Sequence, residues 1–499
     1  KRPKHTPTSH ACMHKTNADT LQDYYPSRSF LRQSLYQPLA ACKRLAVEPT
    51  MAVKMASDGL WQGENPLDFV LPLLAVQISV VLVVTQGLAF ALKPLRQPRV
   101  VAEILGGILL GPSALGRWGA FRRTLFPEWS TASLDTVSGL GLLLFLFLVG
   151  LELDFRSVRH VGPRSVAIAA AGIVPPLLAA AGIVPLLDLA VPAPRHASYF
   201  SLCVFLGAAL SVTALPVLAC ILKELGLLGV PFGETAMAAA AVNDVFAWTL
   251  LALALAVSGG GREPKGTPLA PIYIVGSGAL FVAFTFVALR PLMARLARRA
   301  GPDAADGDLA CSGAVACALL AGAVTDAIGV HPVFGAFVFG LAMPREGGVA
   351  ERTGEKVAPL VSGLMLPLYF ATSGLHTDVD SVRGVAAWGM VALVVAVAMA
   401  GKFAGTFAVA VAGTGMARRE AAALGVAMSA KGLVELIVLN IGKEKKVLDD
   451  TTFAIFVIMA LTTTVVATPL MTALYRQPPT ATTPESDGIE FKGNDACPA

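Results

Sequence analysis

The sequence predicts an all-α polytopic membrane protein, and three observations carry that prediction. Of its 499 residues 55% are hydrophobic, 15% are charged and 47 are glycine, too apolar and too glycine-rich a mixture for a water-soluble chain of this length. The mean hydropathy is +0.65. The apolar residues also fall into about 13 runs near the length that carries a helix across a bilayer.

In order, the runs cover about residues 68–91, 98–115, 135–152, 165–188, 197–222, 235–257, 270–292, 309–328, 331–344, 357–375, 384–413, 418–441 and 451–474. Gly106, Gly107, Gly111 and Pro112 interrupt the second, Pro175, Pro176 and Pro185 the fourth, and Pro216 the fifth. Seventeen Lys and Arg lie on the side of the first short loop (Lys93, Arg96, Arg99) and ten on the opposite side. The bias predicts a cytoplasmic C-terminus and an outward N-terminus. Residues 1–66 read as a disordered or spurious extension, since residues 1–50 start with Lys and show no helical or strand period, whereas Met51 or Met55 would be a natural start. Residues 67–475 form the transmembrane domain and 476–499 a disordered tail.

Cysteine says little about function. The seven have no metal-ligand spacing and four lie in apolar runs, predicting neither a disulfide framework nor zinc. No cofactor and no nucleic-acid partner are expected.

An ionisable group in hydrocarbon costs at least ~2.5 kcal/mol and persists when paired or when it faces a polar cavity. Glu103, Glu152, Asp244, Asp326, Lys402, Lys431 and Glu435 fall within or at the edge of the runs. Asp244, in AVNDVFAW, sits well inside a run that is otherwise apolar from Thr235 to Val257, beside Asn243. One run earlier, Pro216 lacks an N–H and its ring clashes with the carbonyl of Val212, so the helix should unwind between Ser211 and Leu215. Unwinding frees carbonyl oxygens, and the hydroxyls of Ser211 and Thr213 add to them. In lipid such backbone survives where it lines a cavity, so beside an intramembrane acid it is a candidate site for a dehydrated monovalent cation.

The twelfth run mirrors the fifth. AMSAKGLVEL places Ser429, Lys431 and Gly432 in mid-span, with Glu435 one turn after Lys431. Broken helices at corresponding places in two halves point to an inverted-repeat transporter. Lys431, and Lys402 in AGKFAGT, are of the right charge to offset exposed helix ends; Lys431 and Glu435 also read as a self-contained ion pair that stitches the bundle.

AVNDVFAW, LSVTALPVLACIL, LFLFLVGLELD, AIGVHPVFGAFVFGLAMP, LPLYFATSGLHTDV and SAKGLVEL, in this order of argument, together resemble the plant cation/H+ exchanger family, a branch of the monovalent cation:proton antiporters. The likeness runs from about Asn65 to about Tyr475. It implies the sodium/proton-antiporter fold, with a dimerisation subdomain and a core subdomain whose two broken helices cross at mid-membrane, in a homodimer of the plasma membrane or an endomembrane. Carried onto this chain, the family's Asn–Asp pair falls on Asn243 and Asp244, its unwound helix on Thr213 and Pro216, its buried lysines on Lys402 and Lys431, and its acid after LVGLE on Glu152. Two departures stand out: the long cytosolic regulatory domain usual in the family is missing after residue 475, and Pro332 follows His331 where a small residue is usual.

Other classes fit less well. Gly401-Lys402 lacks the upstream glycine of a phosphate-cradling loop, having Ala396 there. No regular Arg-rich span, TVGYG-like filter or His-Glu-x-x-His group is present. The expected function is secondary antiport, not enzyme catalysis: a monovalent cation, K+ by resemblance and otherwise Na+, exchanged for H+ in cation and pH homeostasis. Asp244 and Asn243 are the expected exchange residues. Ser211, Thr213, Pro216 and Asp244 would bind the cation, and Lys402, Lys431, Glu435 and Glu152 would compensate charge. The rival is a non-transporting sensor on an exchanger scaffold.

Overall fold

The computed structural model describes residues 55–95, 97–152, 162–191, 198–213, 215, 218, 222, 231–258, 270–300, 308–345 and 348–474. The chain divides between Met55 and Ala56, and the unit described below begins at Ala56. The expectations for residues 1–54, Pro216 and residues 475–499 lie outside the described residues.

All regular structure among the described residues is helical, and nine helices are long and apolar enough to cross a membrane. In order, the helices that build the bundle are α1 (Val70–Leu92), α2 (Arg99–Leu110), α3 (Glu128–Glu152), α4 (Pro163–Ala190), α5 (Tyr199–Ser211), α6 (Pro231–Ser258) and α7 (270–300). Then follow α8 (Asp308–Ile328), α9 (Pro332–Ala342), α10 (349–375), α11 (Gly384–Thr414), α12a (Arg418–Met428), α12b (Leu433–Glu444) and α13 (Asp450–Leu474). Pro332 occupies the first turn of α9, where a missing N–H costs nothing. The fourth apolar run, expected to be interrupted, is instead one helix through Pro175, Pro176 and Pro185; membrane helices tolerate such prolines where neighbours and local adjustments satisfy the freed backbone.

Packing follows a twofold pattern. Helix α2 packs on α10 as α9 packs on α3; α1 on α2 as α8 on α9; α4 on α5 as α11 on α12a; and α6 on α4 as α13 on α11. Each of these contacts is reproduced when the helix number is advanced or reduced by seven, so among the described residues α1–α6 and α8–α13 form two matching repeats with α7 between them. Two of the close crossings obey the same rule. A Cβ on Gly107 would lie 2.0 Å from the carbonyl oxygen of Ala371 and one on Gly374 2.3 Å from that of Ile104; on Gly150 and Gly340 it would lie 2.4 and 2.3 Å from those of Phe337 and Phe147. Only glycine lets these backbones approach so closely, the small-residue packing characteristic of membrane helices.

Residues of α4, α6, α11, α12a and α13 share a core with Leu218 and Leu222. The last turns of α12b reach across to the other helices. Asn440 donates to the Tyr369 hydroxyl at 2.9 Å, Lys443 to the carbonyl of His376 at 2.8 Å, and Glu444 Oε2 meets His331 Nε2 at 3.3 Å.

Candidate functional site

Two helices break where they meet. Helix α5 stops at Ser211, Val212 is extended (φ −65°, ψ 140°), and helix resumes at Leu215. Helix α12a stops at Met428, and α12b begins only at Leu433. Every break leaves carbonyls behind it and N–H groups ahead of it without helical partners, and their partners here are side chains from elsewhere in the fold.

At the end of α5, the Lys431 ammonium donates to the carbonyls of Ala209 (2.6 Å) and Leu210 (2.7 Å), and the Lys402 ammonium to that of Ser211 (2.7 Å). Lys402 also contacts Thr213 Oγ1. The two cations thus sit at the negative end of a helix dipole. Beyond the break, the Thr213 N–H donates to Asn243 Oδ1 at 2.9 Å, Asn243 Nδ2 donates back to the Ser211 carbonyl at 3.3 Å, and the Leu215 N–H bonds to Asp244. The Asn–Asp pair of α6 therefore caps the helix that restarts after the gap. Thr213 Oγ1 donates to the carbonyl of Met428 at 2.7 Å, tying one break to the other, and Thr464 of α13 donates to the carbonyl of Lys431 at 2.8 Å.

All of this is buried. Thr213, Asn243, Lys402, Lys431 and Glu435 have no exposed surface, and Asp244 keeps 4%. Asp244 Oδ1 has no hydrogen-bond partner among the described residues, and neither has either oxygen of Glu435, whose carboxylate stands 3.7 Å from the Lys431 ammonium. Lys402 lies within electrostatic reach of Asp244, Lys431 and Glu435. An acid with one oxygen unpartnered among the described residues thus stands beside unwound backbone in a low-dielectric setting, with the amino groups of two lysines close by.

The fold brings together Ser211, Thr213, Asn243, Asp244, Lys402, Lys431 and Glu435 from runs up to 224 positions apart. Glu152 is not among them: it is the last residue of α3 and exposed, its carbonyl 3.4 Å from Arg345. The Ser211 hydroxyl, expected to face the ion, bonds back to the Ala208 carbonyl at 3.1 Å; its own carbonyl is the atom the site uses. Lys431 and Glu435 do stand as an i,i+4 ion pair at 3.7 Å, but the pair is not self-contained, since the lysine's hydrogen bonds run to α5. Sequence reasoning missed Thr464 and the Met428 carbonyl, because a threonine in an apolar run and a main-chain oxygen carry no signal of their partner.

Broken helices that meet at a buried charge cluster, within two matching repeats, are the architecture of secondary membrane carriers. The chain belongs to the sodium/hydrogen exchanger family, whose transmembrane-region model matches residues 78–477. It is 53% identical over 431 residues to Cation/H(+) antiporter 20 of Arabidopsis thaliana, a match covering 85% of this chain and 51% of that protein. It is also 34% identical over 393 residues to the Na(+)/H(+) antiporter NhaS4 of Synechocystis, covering 79% and 94%. The chain thus spans about half the length of the plant relative. The structure of the sodium proton antiporter MjNhaP1 from Methanocaldococcus jannaschii shares the fold, with a TM-score of 0.54 and 16% identity over 80% of this chain and 96% of that one.

Proposed function

We propose that the protein exchanges a monovalent cation for H+ at Asp244, with K+ the expected cargo by its likeness to the plant exchangers and Na+, for which NhaS4 is named, the alternative. The observation that carries the reading is the Asp244 carboxylate: buried, held at one point by the Leu215 N–H, with Oδ1 unpartnered among the described residues. A carboxylate in hydrocarbon surroundings is tolerated when neutralised, and a proton or a cation can do that, one excluding the other. Competition for one acid is what couples the two fluxes. The oxygens of Ser211 and Thr213 lie on the same break and serve as cation ligands once Lys402 turns aside. Alternating access comes from α4–α6 and α11–α13 moving as a core against the dimer-forming helices.

The test is cation-driven pH change inside vesicles holding the purified protein, with K+ and Na+ compared and Asp244→Asn as control. Coupled flux in the parent and none in the variant is the expected result. No flux from the parent with either cation would leave the sensor reading in its place.

A further inference from the structure

Glu435 is a charged member of the cluster that the exchange at Asp244 does not use. It lies in the first turn of α12b, fully buried, and neither carboxylate oxygen accepts a hydrogen bond from the described residues. The nearest cation is Lys431 at 3.7 Å, but that ammonium is directed to the carbonyls of Ala209 and Leu210 at 2.6 and 2.7 Å. A carboxylate stripped of water and given no donors is far costlier as an ion than as a neutral acid. Lys402 is the other charge acting on it. Of the helices packed against α12b, α5 offers carbonyls at this level, α6 carries Asp244, α10 contributes Tyr369, which is engaged by Asn440, and α13 contributes Asp450, which pairs with Lys443 at 2.9 Å.

We propose that Glu435 is a second proton carrier of the exchange site, holding its proton while Lys431 caps α5 and releasing it when Lys431 swings to pair with it. The inference rests on the antiport reading above. The step balances simply. Glu435 loses H+ to water on the open side, its new negative charge is met by the Lys431 ammonium, and no net charge is left in the break. The lysine needs only to turn from the α5 carbonyls to a carboxylate four residues ahead of it, already 3.7 Å away. Asn243, which carries no proton, then does not limit exchange to one proton per cation, because the second comes from the opposite broken helix.

The experiment measures where flux reverses in vesicles of the full chain held at zero membrane potential. With two protons per cation, a tenfold proton gradient balances a cation gradient of roughly a hundredfold, and with one proton a gradient of roughly tenfold. The parent should balance at the hundredfold point and Glu435→Gln at the tenfold point while still transporting. A parent that balances at tenfold overturns the proposal whatever the variant does, including a variant that fails to fold. So does a Glu435→Gln protein that transports but balances where the parent does. A parent with no coupled flux overturns the antiport reading itself, and this inference with it.

Discussion

The hydroxyl of Thr213 hydrogen-bonds the carbonyl of Met428 at 2.7 Å, joining two helix breaks that lie 215 residues apart in the chain. One donor thus holds both interruptions in register, and the same oxygen receives Lys402. Thr213→Val keeps the shape but removes the link. Apparent cation affinity should fall about tenfold, the equivalent of ~1.4 kcal/mol, with membrane insertion unchanged; dose–response of cation-driven proton flux measures it. Pro216→Ala should weaken affinity in the same direction by restoring a helical hydrogen bond. Unchanged affinity in both variants removes this helix from the ion site.

Asp244→Asn keeps the size of the side chain and its contact to the Leu215 N–H while removing the group that trades a proton for a cation. Coupled flux should vanish, and thermal stability should hold or rise because a neutral amide is cheaper to bury in lipid than a charge. Asp244→Glu should retain partial transport with a displaced pH optimum. Near-parental flux in Asp244→Asn, at matched protein density, sinks the mechanism.

Lys431→Met strips the charged donor from two buried carbonyls, Ala209 and Leu210. A hydrogen bond to a charged group contributes ~1.5–3 kcal/mol, so a net loss of about 2 kcal/mol is expected after the relief of burying one charge fewer. The melting temperature in detergent should drop by several degrees, and Lys431→Arg should recover part of it. Equal melting of parent and Lys431→Met would show that these carbonyls do not depend on the lysine.

Gly107→Ala sets a methyl group 2.0 Å from the Ala371 carbonyl oxygen, where backbone meets backbone and nothing flexible can yield. The α2–α10 crossing should open and the yield of folded protein collapse. Gly389→Ala, with nothing within 4 Å of the added Cβ, should be neutral or stabilising by ~0.5–1 kcal/mol through helix propensity. Comparable yields for the two variants would contradict the crossing.

Glu444 is held below its ordinary value of 4.5, first by its hydrogen bond with His331 and against the desolvation it suffers. For an acid lowered in the folded state, the linked stability is fully present above 4.5 and is lost as pH falls through the lowered native value. The gap in melting temperature between parent and His331→Gln should therefore be full above pH 4.5 and close as pH falls further through the lowered native value. A gap that widens on acidification contradicts the pairing.

What could be read from the sequence was whatever is costly in lipid. Asp244, Lys402, Lys431 and Glu435 stood out because ionisable groups do not persist in apolar runs without cause, and the gap after Ser211 followed from Pro216. The partners were not legible. Lys431 and Glu435 are one turn apart and read as a pair, yet the lysine's bonds run to carbonyls some 220 positions away, which only folding brings near. Lys402 and Lys431 could be read as offsetting exposed helix ends, but main-chain oxygens look alike in any sequence, so which carbonyls they meet could not, and the glycine crossings needed both helices in place before Gly107 found Gly374. Glu152 was misplaced for a related reason: the acid that ends a long apolar run is as well suited to the water boundary as to the interior.

Lys402 already rests on the Ser211 carbonyl and the Thr213 hydroxyl, two of the oxygens assigned to the cargo. On the proposed reading the ion therefore never enters an unfilled coordination shell; it displaces an incumbent of like charge. Its affinity is the difference between two solvations, so a cation must offer those oxygens more than an ammonium does, while the carrier between turnovers keeps its dipoles satisfied without any passenger. Such a tethered stand-in guards against slippage, since the same positive charge that yields to the ion returns when the ion leaves.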